Sequence, residues 1–412
     1  MGKTEKTVFL LIICVFGSLL AGFGSAQAEN YVRVDQPELD GAVLLVADLL
    51  DVEEPQVILG RKNQVHIVVD GEERELIKDL PGNVTSLAVG DLTGDFRPEL
   101  LVGTDNAGAF YVYESQGGKW QRSGRARYLW EPVTKLAVHD LNNDGWGDVI
   151  ALNRQGDAEV YLSWEGELYS FWRSSGVKHF MAADIDQDGV DEILYTGVSG
   201  QVAILKWDDQ QLVTLWENYP WGTIESLVVI NEGSRLEWIV VTSQKMLYGW
   251  RWQNGEVVST RHFHAPELGE MLTYIPGTGL LSFSRSRGAS MFTLQSSSVR
   301  ELWNVPGVSG EQVYPFFDSF LVRDSNNAYY LLNPSDGRWK VFLGREEIGE
   351  RLELFTHEGT VFAELKNAAS SLGLSLFGEE PWYIIGRSGF VKVELGRGLA
   401  ERDGLAFPLS AA

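Results

Sequence analysis

Four segments of this chain repeat one pattern, in which an apolar run ends at an aspartate and a short polar loop leads into a second apolar run. They are "VADLLDVEEPQVILG" from Val46, "VGDLTGDFRPELLVG" from Val89, "VHDLNNDGWGDVIAL" from Val138 and "AADIDQDGVDEILYT" from Ala182. Their leading aspartates, Asp48, Asp91, Asp140 and Asp184, stand 43, 49 and 44 residues apart. A period in the forties marks a repeat architecture, in which each unit buries its apolar surface against its neighbours. No Pro/Ser/Gly linker or charged tract divides the chain, so residues 29–412 read as a single domain.

After each loop comes a strand, a polar turn and another strand, as in "EVYLSWEGELY" and "VAILKWDDQQL". This hairpin outlasts the acidic loops, recurring from Leu247, Met291, Tyr329 and, in weaker form, Gly373. Residues alternate between two faces at period 2, the pattern of β structure, and no long stretch carries the 3.6-residue period of a helix. Units of this size with about four strands have the dimensions of propeller blades. Eight hairpin units favour an all-β propeller of eight blades, with seven as the alternative. A ring also explains the missing linker, and "YVRV" at Tyr31 or "FVKVEL" at Phe390 is available to complete a blade shared by both termini.

The loops resemble those of the FG-GAP/VCBS repeat family, the blades of integrin-α-like β-propellers, which read approximately D-x-[DN]-x-D-G-x-x-[DE] before an apolar strand. The resemblance covers residues 46–200, and residues 201–412 keep only the hairpin rhythm as degenerate blades. It implies a propeller, and it leaves seven blades open.

The loop from Asp140 places Asp140, Asn142 and Asp144 at positions 1, 3 and 5, Gly145 at the bend, the carbonyl of Trp146 at 7 and Asp148 at 9. The next repeats this with Asp184, Asp186, Asp188, Gly189, the carbonyl of Val190 and Glu192. Calcium takes six to eight hard oxygen ligands in flexible geometry, so both loops are candidate Ca2+ sites. An EF-hand is excluded, because Ala151 and Tyr195 occupy position 12 inside strands. The competing reading is an Asx-turn, in which Asp and Asn side chains accept backbone amides without metal. A third, incomplete site has Asp91, Thr93, Asp95 and Glu99, with Phe96 in place of the glycine and Arg97 as an internal cation. In the first loop Leu50, Val52 and Gln56 remove the ligands, and that loop is expected to be empty.

Lys3 and Lys6, the apolar run Val8–Phe23 and the triplet Ala26-Gln27-Ala28 have the order of a secretory signal peptide, cleaved after Ala28. The only cysteine, Cys14, falls inside that segment, and Ile12 and Ile13 before it do not suit a lipoprotein. The mature chain therefore has no disulfide, which points to export into a bacterial-type envelope, periplasm or exterior. No later stretch reaches membrane-spanning length. A formal charge of −23 disfavours nucleic acid as a partner.

Other motifs are weaker. His262, His264 and Glu267 lack a further metal ligand, and Arg285 with Arg287 reads as a solvated hairpin. Trp164, Trp207, Trp250 and Trp252 recur with the repeat, which points to packing between blades. Asn83-Val84-Thr85 is a lone glycosylation sequon, and no nucleophile elbow, zinc-protease helix or phosphate loop is present. The expected function is a secreted or envelope-associated, calcium-stabilised module that binds a protein or glycan without catalysis. The alternative is an extracellular polysaccharide lyase or hydrolase on the same scaffold.

Overall fold

The computed structural model describes residues 31–334, apart from residues 51–55, 70–71, 233–234 and 317–318, and beyond residue 334 it describes separate strands. The expected signal peptide and its cleavage point, like Val52 of the first loop, lie outside the described residues. The only helical element among the described residues is the 3-10 turn Pro37–Leu39. No described helix is long and apolar enough to cross a membrane.

Each unit of the repeat folds as a four-stranded antiparallel meander. The third blade runs Val133–His139, Asp148–Asn153, Ala158–Trp164, Glu167–Ser174, and the fourth runs Val177–Ala183, Glu192–Gly197, Val202–Asp208, Gln211–Asn218. Preceding them are the first blade, from Val43 to Ile77, and the second, from Val84 to Tyr128. The fifth spans Ile224 to His264 and the sixth Met271 to Val305. In all six blades the ladder between third and fourth strands carries a register shift, such as that between Val160 and Tyr161. Such an irregularity increases strand twist.

Period-2 alternation now acquires a meaning. In the second strand of the fourth blade, Ile193 packs toward the third blade while Leu194 packs toward the fifth. Both faces of a blade are thus buried, which explains why these strands read as continuous apolar runs. Seven apolar clusters result, one in each interface between adjacent blades. Trp238 and Trp250 sit in the interface between fourth and fifth blades with Trp216 edge-on to both and Trp252 packed against them, so the packing reading holds for Trp250 and Trp252, whereas Trp164 is 58% exposed beside Trp146. Every such buried aromatic contributes on the order of 2–3 kcal/mol through burial.

The seventh blade closes the ring. Its sheet is Gln312–Phe316, Ser319–Arg323, Tyr329–Pro334 and, as the outermost strand, Tyr31–Asp35 from the other end of the chain. The blade number is therefore seven, the alternative count. The hairpin from Gly373 adds no blade, because Ser375–Phe377 and Trp382–Gly386 belong to a separate five-stranded sheet without ring strands. "FVKVEL" lies in that sheet too, and it is "YVRV" that completes the shared blade. The physical reason is face burial: the seventh sheet packs on the first blade through Leu321, Tyr329 and Leu331 against Leu44, Val57 and Leu59, so no apolar blade face remains for an eighth unit. Across the closure, Tyr314 and Tyr329 donate their hydroxyls to the carbonyls of Leu44 and Ala42 in the first blade.

Inner strands are tied to one another as well. Lys135 of the third blade donates to the Phe180 carbonyl of the fourth at 2.6 Å, and Lys178 of the fourth to the Ile224 carbonyl of the fifth at 2.5 Å. Beside them, burial first and then the charges of Lys178 and Lys135 push the His179 pKa down to about 4.

Deleting residues 29–35 should expose the edge of Tyr329–Pro334, lower the melting temperature by roughly 5–10 °C and promote self-association, read by calorimetry and size-exclusion chromatography. An unchanged monomer of unchanged stability would contradict the closure. His179 stays neutral in the folded chain down to about pH 4, whereas its unfolded value is 6.5. As pH falls through that window the unfolded state alone takes the proton, so stability should drop by up to about 1.4 kcal/mol per unit. Denaturant melts of wild type and His179→Gln between pH 7 and 4 should show a shallower slope for the variant.

Candidate metal centre

The three acidic loops join first to second strand in consecutive blades, so they sit side by side on one rim of the ring. All three share a buried anchor. The position-9 carboxylates Glu99, Asp148 and Glu192 accept the backbone N–H of position 2, from Leu92 at 2.7 Å, Leu141 at 3.0 Å and Ile185 at 2.8 Å. Gln56 does the same for Leu49 and Leu50 in the first loop. Position 9 is thus first a turn anchor, which a neutral amide serves equally. Burial raises the pKa of Glu99, Asp148 and Glu192 to about 7, opposed by those amide bonds.

Position 1 caps the bend. Asp140 accepts the N–H groups of Asp144 and Gly145, and Asp184 those of Asp188 and Gly189. Gly145 and Gly189 hold φ of 87° and 92°, a conformation that costs a residue with Cβ about 1 kcal/mol or more. The Asp91 loop accepts that cost, since Phe96 stands there with φ 63° and is 95% exposed. There Asp91 spends its oxygens on the amides of Thr93, Gly94 and Phe96, and Asp95 accepts from Arg97. These are Asx-turn bonds, and the Asp140 and Asp184 loops make them as well.

In the third blade the Asp144 amide is shared by Asp140 Oδ1 at 3.2 Å and Asn142 Oδ1 at 3.1 Å, while Asn142 Nδ2 donates to Asp144 Oδ2 at 2.9 Å. Positions 1, 3 and 5 therefore converge. A carboxylate oxygen that accepts one amide keeps a second acceptor direction, so these bonds and a cation are compatible. In the fourth blade one carboxylate oxygen each from Asp184, Asp186 and Asp188 lies within 4.8 Å of the others. Asp186 Oδ1 is buried there with no hydrogen-bond partner. An all-oxygen donor set of this kind suits calcium rather than a softer transition metal.

One residue that the loop pattern does not contain enters this cluster. Lys206, on the third strand of the fourth blade, places Nζ against Asp186 Oδ2, 2.6 Å from Asp188 Oδ2 and 3.4 Å from Glu192 Oε1. Burial opposes its charge, but bonds to Asp186 and Asp188 prevail and hold its pKa above the ordinary lysine value. The Asp188 carboxyl is correspondingly held below its usual range by Lys206. Across the ladder from the other anchors, the same place is taken by Glu114 opposite Glu99 and by Leu162 opposite Asp148. Glu114 adds to the pressure that raises the Glu99 pKa.

Neighbouring loops are stitched together by contacts that only the fold creates. Gly147 donates to the Asp91 carbonyl at 2.7 Å, and Ser163 reaches the Leu92 carbonyl through its hydroxyl at 2.6 Å while its N–H caps Asp148 at 2.9 Å. The Trp146 ring lies so close over Gly94 that a Cβ there would come within 2.3 Å of it. His139 meets Asp191 of the next loop at 2.7 Å. Elsewhere, His262 stacks on Tyr248 with ring centroids 4.7 Å apart, and Arg287 pairs with Glu301, so neither motif forms a site of its own.

Residues 140–195 match the model of the FG-GAP-like repeat, and residues 83–113 that of the FG-GAP repeat. Integrin alpha-7 of Homo sapiens is 30% identical over 129 residues, which is 25% of this chain and 11% of the relative. Integrin alpha-7 of Rattus norvegicus is 33% identical over 91 residues, 19% of this chain and 8% of the relative. This chain thus matches a small part of the length of these relatives. Among solved structures, a chain of the mitotic checkpoint complex has a TM-score of 0.50 at 14% identity, covering 77% of this chain and 94% of its own. A chain from BBS1N in complex with ARL6DN has a TM-score of 0.50 at 11% identity, covering 74% and 97%. Identities this low speak to the ring alone. The repeat matches fall on the acidic loops of a seven-bladed ring, so residues 83–113 and 140–195 carry FG-GAP repeats.

Proposed function

We propose that this chain is an exported recognition propeller, stabilised by calcium at its Asp140 loop, that binds an extracellular or envelope protein or glycan without catalysing a reaction. One observation carries the recognition part. Five of the exposed large apolar side chains lie on the rim opposite the acidic loops, Trp130 and Trp221 at 78% and 68% exposed, with Tyr128, Val198 and Tyr219, while Phe96 and Trp164 lie on the acidic-loop rim. Antiparallel strands put the connections between blades, and those between second and third strands, at this same end. Trp130 stacks on Tyr128 with centroids 5.9 Å apart and keeps φ at 67°, an unfavourable state for a bulky residue. Exposed aromatics are enriched where proteins bind partners, because a rigid ring contributes area at low entropic cost.

For calcium, the Asp140 loop has the donors with the fewest competitors. Asp140, Asn142, Asp144 and the carbonyl of Trp146 would hold the ion directly, with Asp148 fixing the turn beneath them. The ion would supply the positive charge that offsets three clustered acids and thereby stiffens a ring that lacks disulfides. Export is supported by the signal-like amino terminus and by the likeness to integrin repeats.

Extracellular calcium sites have dissociation constants on the order of 10⁻⁴–10⁻³ M, so millimolar calcium should add about 0.4–1.4 kcal/mol at the Asp140 loop. Calorimetry in chelator and then in calcium should show a higher melting temperature, with magnesium a poor substitute. Asp144→Ala should remove most of that gain and Asp48→Ala none of it; a wild type indifferent to calcium would identify the loops as metal-free Asx-turns. Trp130→Ala and Trp221→Ala should leave the melting temperature nearly unchanged, because both rings are exposed. In a glycan and envelope-protein binding screen, each should weaken capture of the recognised partner by roughly tenfold or more. Release of new reducing ends from a polysaccharide would replace recognition with the lyase or hydrolase reading.

A further inference from the structure

We propose that Lys206 is the resident cation of the fourth-blade loop, so that the Asp184 loop holds its shape without calcium while the Asp140 loop depends on it. The proposal rests on the calcium reading of the third-blade loop only for its contrast, and its own evidence is geometric. An ammonium group has three N–H donors and no acceptor. Here they have three carboxylates within reach, Asp186, Asp188 and Glu192, from positions 3, 5 and 9 of one loop. The pocket is shielded on one side, with side-chain exposures of 22% for Lys206, 10% for Asp186 and 0% for Glu192, and open at Asp188, 44% exposed. A divalent ion bound to Asp186 and Asp188 would have to share their oxygens with an ammonium already touching both. Like charges that close in a partly buried site repel strongly, so calcium and the seated lysine exclude one another.

The repeat supplies its own controls. In the third blade an aliphatic residue, Leu162, takes this ladder place opposite Asp148, and nothing cationic enters the loop from that strand. In the second, Glu114 adds a carboxylate instead. In the fifth blade the anchor position is Glu237, which faces Arg251 across the ladder and is gripped by Arg261 at 2.7 and 3.1 Å. Passing from third to fifth blade, the counter-charge thus changes from none on that strand to a lysine and then to an arginine, Arg261, while the two strands pair as far as Glu232 and Arg235. Lys206 marks the intermediate step, with a full set of loop acids and an internal cation.

The test uses the mature full-length chain and calcium itself as the probe. Calcium stoichiometry and affinity are read by isothermal titration for wild type, Asp188→Ala, Lys206→Gln and Lys206→Arg, with melting curves in chelator. Asp188→Ala should leave the stoichiometry of wild type unchanged, since that loop binds none. Lys206→Gln should melt lower in chelator, gain one calcium equivalent and recover stability as calcium is added, whereas Lys206→Arg should behave as wild type. Loss of one equivalent in Asp188→Ala would overturn the proposal, as would a folded Lys206→Gln that gains none. Should Lys206→Gln fail to fold even with calcium, Asp188→Ala decides alone. A wild type that binds no calcium at all would refute the reading of the Asp140 loop, yet the gain in Lys206→Gln would still be expected.

Discussion

Closure of the ring is the constraint on which everything else depends. Each blade has two apolar faces, and neither can be buried except by a neighbour, as Ile193 and Leu194 show by packing in opposite directions from adjacent positions. Six blades in sequence would leave two such faces and an unpaired strand edge in water. Pairing Tyr31–Asp35 with Tyr329–Pro334 completes the seventh sheet, and the cluster of Leu44, Val57, Leu321 and Leu331 buries the faces. The stability of any one blade is therefore inseparable from that of the whole, which distinguishes a closed ring from an open solenoid whose repeats add nearly independently.

The rim loops inherit their rigidity from this arrangement. A buried acid at position 9 is costly unless it is hydrogen-bonded, and in each loop the position-2 amide meets that need. Because Gln56 performs the same task, the anchor belongs to the fold before it belongs to any ion. Positions 1, 3 and 5 are different, for they gather two acids and an asparagine in the third blade and three acids in the fourth. In the fourth blade the Lys206 ammonium meets two of those acids, Asp186 and Asp188.

Two rims with different chemistry follow from a meander of even strand number. One carries the acidic loops and their lateral stitching through Trp146, Ser163 and His139. Opposite to it lie Trp130, Val198, Tyr219 and Trp221, exposed and outside the packing logic of the repeat. The two ends are joined only through the blades.

The sequence by itself determined the strand period, the repeat of the acidic loops and the propeller class, and it left "YVRV" and "FVKVEL" both available to complete a blade. These are local patterns, set by alternation and turn chemistry within some fifteen residues. Blade number was not local: eight hairpins were countable, but only the pairing of Tyr31–Asp35 with Tyr329–Pro334 decided that the ring closes at seven. Lys206 was equally hidden, lying fourteen residues beyond Glu192 in a strand that reads as ordinary, and the antiparallel ladder alone brings its ammonium onto the loop. The same holds for Glu114, Ser163 and the His139–Asp191 contact, which join residues of different strands or different blades. Motifs disclose what neighbours in sequence do together; which charge faces which carboxylate is decided by register and by the turn of one blade against the next.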